Sequence, residues 1–119
     1  MDVTVWLYLI NASLLICHEI DSAYWKEWEL FNIPGGIEGF LFIHMPLMFL
    51  ALFGAIEVYK QGFFGYIFSL VLGGVGIFAF LIHMLFILKG KKEFKTPASI
   101  GLLLMIFFFS LLQVFYTIF

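Results

Sequence analysis

The sequence predicts an all-α fold, a four-helix transmembrane bundle threaded antiparallel, up and down, and three observations predict it. Hydrophobic residues fill 64% of the 119 positions and charged residues 12%, about half the roughly 25% of an ordinary soluble domain. A water-soluble domain of this size leaves too much surface exposed to hide so much apolar side chain. The apolar residues also gather in four runs, each near the ~20 residues that cross a hydrocarbon core, with short polar punctuation between them. A single integral membrane domain over 1–119 follows, with no room for a soluble one.

The first span is 3–20. Met1-Asp2 lacks the basic leader of a secretory signal and no small-residue cleavage site follows, so this run is expected to remain in the mature protein. The second span, 37–59, follows Pro34-Gly35-Gly36. The third, 63–88, lies between Lys60-Gln61-Gly62 and Lys89-Gly90-Lys91-Lys92. The fourth, 98–119, is opened by Thr96-Pro97, with proline in the first turn, where its missing N–H costs nothing. Between the first two spans, residues 22–33 read as a short interfacial helix with Tyr24, Trp28 and Phe31 on one face, because tryptophan and tyrosine favour the headgroup layer. A lid over a pocket is the sharper alternative for the same segment.

Charge orients the threading. Lys26, Lys89, Lys91, Lys92 and Lys95 fall in the loops on one side and Lys60 on the other. Basic loops stay cytoplasmic, so a multi-pass protein of the cell membrane with both termini outside is expected. All six basic residues are lysines, which leaves no arginine fork and no patch of the nucleic-acid type. The single cysteine, Cys17, excludes an intramolecular disulfide and is expected to pack inside the bundle, as free cysteines commonly do.

Polar groups are costly in lipid, so their positions carry the functional information. His18, His44 and His83 lie one on each of the first three spans, and antiparallel threading brings them to the same end, roughly 4 to 12 Å beneath the surface at 1.5 Å per residue. Their faces agree as well. Thr4, Asn11 and His18 share a stripe, His44 shares one with Met48, Ala51 and Ala55, and His83 shares one with Gly65, Ser69, Gly73 and Gly76. Small and polar residues mark the faces where membrane helices meet. The fourth span adds Ser99, Ser110, Gln113 and Thr117. Carboxylates crowd the histidine end as Glu19, Asp21, Glu27, Glu29 and Glu38, and Pro46 removes a backbone bond beside His44. Glu57 and Lys60 read as a surface pair at the far end.

Three imidazoles and a carboxylate supply the ligands of one transition metal ion such as zinc or iron, here His18, His44, His83 and Glu19. Without a metal, His18, His44, His83 and Asp21 form an acid–base network, because histidine titrates near neutral pH. Asn11, Trp25, Trp28 and Glu38 are the candidates for holding a substrate. No motif such as His-Glu-x-x-His fixes the choice, and a purely structural network stays open.

The residues His18-Glu19-x-Asp21, Tyr24, Glu27-Trp28, Phe31, Pro34-Gly35-Gly36 and His44 carry a resemblance. The chain resembles a family of small bacterial four-helix membrane proteins known as a domain of unknown function. It is more loosely similar to membrane proteins named for a His-x-x-Glu-Glu motif, from which His18-x-x-Asp21-Ser22 departs. The resemblance implies the topology and brings no activity with it. Two functions remain in view. One is an enzyme or binding protein for a lipid or another apolar small molecule, with its polar cluster near the cytoplasmic face. The other is an accessory or structural subunit of a membrane complex or homo-oligomer. A channel or transporter is disfavoured by the lack of a charged ring and of an interrupted-helix pair.

Overall fold

The computed structural model describes residues 2–91 and 95–119. Its elements are α1 (Val3–Tyr24), a one-turn α2 (Glu27–Leu30), α3 (Gly36–Lys60), α4 (Phe63–Leu88) and α5 (Pro97–Ile118). The four long helices each have the length and hydropathy to cross a membrane. The molecule measures 40 × 28 × 18 Å, so its long axis exceeds a hydrocarbon core of about 30 Å. Lys92, counted above with the loop lysines, lies outside the described residues.

Local chemistry sets the element boundaries. Gln61 takes a left-handed φ of 58° and ends α3 one residue before Gly62 turns the chain into α4. Thr96 caps α5, its hydroxyl accepting from the Ser99 amide at 3.1 Å, with Pro97 at the first helical position. Gly35, at φ 107°, supplies the turn that starts α3.

The histidine end departs from expectation in two ways. α1 does not stop at Ile20 but runs on through Tyr24, because Ser22 repeats the buried position of His18 one turn later. The interfacial segment is then no single amphipathic helix. Lys26 at φ 54° and Asn32 at φ 56° bracket the single turn of α2. Tyr24 consequently stays exposed at the end of α1, whereas Trp28 packs on Phe40 and Phe31 on Phe86. Cys17 corrects a second expectation. It is exposed, because it lies off the buried Tyr8–Asn11–Leu15–His18–Ser22 stripe of α1.

α1 and α4 each pack against all three other long helices, whereas α3 and α5 flank them and do not pack on each other. The buried set of α4 is Gly65, Ser69, Gly73, Gly76 and His83, the stripe of small and polar residues read from the sequence. Its glycines let backbones approach. A Cβ at Gly76 would run into Ser110 Oγ, and one at Gly73 would stand 2.7 Å from Val114. Large apolar side chains such as Phe42, Met45, Phe49 and Phe78 face outward instead.

A network of uncharged groups joins α1, α4 and α5 away from the histidines. Asn11 Nδ2 donates to Ser110 Oγ at 3.0 Å and to Gln113 Oε1 at 2.9 Å. Gln113 Nε2 donates to the Ser69 carbonyl at 2.8 Å, and the Thr117 hydroxyl donates to the Gln113 carbonyl at 2.6 Å. Such bonds between membrane helices average about 0.6 kcal/mol each, so the network fixes register more than it adds stability.

Candidate functional site

His18 and His83 come from the two central helices and are almost completely buried. Their rings meet edge to face with centroids 4.6 Å apart. α2 brings a carboxylate back over them, and Glu27 Oε1 stands 3.2 Å from His83 Nε2. One ligand atom from each of His18, Glu27 and His83 lies within 4.8 Å of the others.

A second pair stands beside this group. His44 Nε2 faces Glu19 Oε2 at 2.6 Å. Its ring stacks on Phe40 with centroids 3.9 Å apart. Glu19 feels the charges of both Glu27 and His83, so the two histidine–carboxylate pairs are electrostatically linked.

The two pairs are wired alike. His83 Nδ1 is 2.7 Å from the Ala79 carbonyl and His44 Nδ1 is 2.7 Å from the Phe40 carbonyl, each one helical turn earlier. A carbonyl oxygen can only accept, so each Nδ1 carries hydrogen, and in a neutral ring each Nε2 presents a lone pair. Each Nε2 stands close to a carboxylate oxygen, which is also an acceptor, at 3.2 Å for His83 and 2.6 Å for His44. An acceptor facing an acceptor requires a proton or a cation between them. A backbone carbonyl on the distal nitrogen is also how metal-binding histidines are commonly oriented.

Glu27 lies outside the long helices. Burial pushes its carboxyl up, but the neighbouring His83, Ser22 and His18 outweigh that and hold it below the usual carboxylate range. It is held as an anion over the two histidines.

The other sequence candidates are dispersed. Asp21 accepts from Trp25 Nε1 at 3.0 Å, tying the end of α1 to the following turn. Trp28 lines a cavity of about 240 Å³ with Glu19, Glu27, Phe31, Phe40 and His44. Glu38 is exposed at the start of α3. Asn11 belongs to the uncharged network, about 10 Å along α1 from His18 at 1.5 Å per residue. The compact three-residue group therefore takes two of the predicted imidazoles and adds Glu27, while His44 and Glu19 form the adjoining pair. From the sequence Glu27 reads as one more carboxylate at this end and not as a site residue. Its proximity to His83 depends on the turn at Lys26, and its place beside Trp28 is the one hint the sequence offered.

Residues 4–119 match DUF6713, a family of unknown function, and the chain belongs to that family. No curated protein and no solved structure matches it.

Proposed function

We propose that this member of the DUF6713 family is a multi-pass membrane protein built around a transition-metal centre held by His18, Glu27 and His83. Zinc or iron(II) suits two imidazoles and a carboxylate. The observation that carries the reading is the contact between His83 and Glu27, in which Nε2 of an imidazole oriented by the Ala79 carbonyl stands 3.2 Å from a carboxylate oxygen. Two ligand atoms of a tetrahedral ion are about 3.3 Å apart when each is about 2.0–2.1 Å from the metal. Three protein ligands leave a coordination position for water or a substrate atom, and such an ion acts as a Lewis acid toward what binds there. The cavity lined by Glu27, Trp28 and His44 meets the group through Glu27, and the surrounding spans make an apolar small molecule or lipid the natural substrate class.

The centre lies on the cytoplasmic side in this reading, with both termini outside. Lys26, Lys89, Lys91 and Lys95 adjoin the histidine end, whereas Lys60 lies at the other.

A metal-free acid–base role is the second reading. It is favoured by the His44–Glu19 contact of 2.6 Å, which a single shared proton completes. Elemental analysis of the protein purified without chelator decides between the two. Stoichiometric metal that is lost in His18→Ala, Glu27→Gln and His83→Ala supports the metal centre. A metal-free wild type that cannot be loaded with zinc or iron(II) ends it and leaves the proton network.

A further inference from the structure

A second, deeper space meets the same end of the bundle. Between α1, α3 and α4 runs a groove of about 250 Å³, lined almost wholly by apolar side chains. Its far end is closed by Tyr8, whose ring is buried and whose hydroxyl donates to the Ala51 carbonyl at 2.6 Å. Gly54 leaves that ring its room, since a Cβ there would collide with the Tyr8 hydroxyl. Ala12 and Ala51 on facing helices give the groove its width, and its other end opens on Glu19 and His44. Tyr8 to Glu19 spans about 16 Å of helix at 1.5 Å per residue. A space that long, yet below the ~300 Å³ of the smallest drug-sized sites, is one chain wide.

The polar end selects the head group. Glu19 and His44 are half-buried, and the Glu27 carboxylate acts on Glu19 electrostatically. No lysine among the described residues lines the groove and the chain has no arginine, so a phosphate or carboxylate head would meet the Glu19 carboxylate, with Glu27 acting on it from behind, without a counter-charge. A hydroxyl suits the pair, because it can donate to the Glu19 carboxylate or to the Nε2 lone pair of His44. We infer that the groove binds the tail of a single-chain primary alcohol and presents its hydroxyl at Glu19 and His44. This assignment rests on the reading of that end as a working centre, and it names the substrate class of the centre.

The test uses the full chain in phosphatidylcholine nanodiscs and a hexadecanol carrying a mid-chain diazirine, with hexadecanol, hexadecane and hexadecanoic acid as competitors. Saturable photolabelling of α1 and α3 is expected, with hexadecanol competing at least about tenfold better than the alkane or the acid, because a site built to hydrogen-bond a hydroxyl rejects analogues lacking it. Ala51→Phe and Val71→Trp fill the groove from different helices, and each should cut labelling at least about tenfold. If the first variant does not fold, the second decides. Equal competition by all three compounds means that the groove holds any bilayer chain, and it overturns the proposal. Labelling that persists in a folded groove-filled variant also overturns it. Metal content measured on the same wild-type samples separates the two readings. Bound metal with unselective labelling removes the alcohol site and keeps the centre, whereas selective labelling without metal removes the metal and keeps the alcohol site.

Discussion

The bundle buries polar side chains in two places, and the contrast between them separates structure from chemistry. Around Gln113, amides and hydroxyls meet as donor to acceptor, and no ionisable group takes part. Around His83, an imidazole lone pair and a carboxylate face one another, and the same arrangement recurs at His44. Every contact of the first network pairs a donor with an acceptor, although Asn11 Oδ1 stays buried without a hydrogen-bond partner. In the second, a proton or a cation between imidazole and carboxylate is what makes each contact favourable. Similar burial thus serves register at one level and, in the function proposed, binding at the other.

The sharpest way to break this contrast is to remove one ligand. His83→Ala should lower metal affinity by more than the roughly 10–100-fold cost of losing an outer-shell partner, read by elemental analysis and zinc competition. Gln113→Leu should do the reverse. It removes bonds to Asn11 and Ser69, so unfolding in detergent should become easier by about 1–2 kcal/mol while metal content stays at the wild-type level. Loss of metal in that variant would show the two levels to be one unit.

Proton competition gives a third, smaller effect. Because Glu27 is held below its ordinary value of 4.5, its contribution to stability is complete above that pH and is lost as pH falls through the lowered value. In metal-free protein, Glu27→Gln should therefore flatten the acid limb of the stability curve and leave the shape near neutral pH unchanged. An acid limb identical to wild type would place the carboxylate outside the pair. The smallest effect belongs to Cys17, which is exposed although it adjoins His18 in sequence. Cys17→Ala should stay within about 0.5 kcal/mol of wild type and keep all its metal, as substitutions on outward surfaces usually do.

Much of the fold was legible because lipid makes polar placement expensive. The Gly65–Ser69–Gly73–Gly76–His83 stripe of α4 follows from helical spacing alone, and the structure buries those residues. The run of α1 past Ile20 was not legible from apolarity, since hydropathy reports where lipid ends and not where the helix does. Glu27 was harder still. Its approach to His83 depends on left-handed backbone at Lys26 and Asn32, residues with no strong demand for that conformation. Nor does the sequence announce the groove, which depends on Tyr8 swinging across to the Ala51 carbonyl.

The fastening of α3 has one more consequence. Gly65 lies against the backbone of Glu57 and Val58, and the Tyr8 hydroxyl clasps Ala51, so α3 is stitched to its neighbours near the Tyr8 end. Toward His44 it borders open space, and α5 does not back it. The groove is therefore bounded on that side by α3 alone, and a guest from the acyl chains can reach Glu19 and His44 along it without crossing the aqueous boundary.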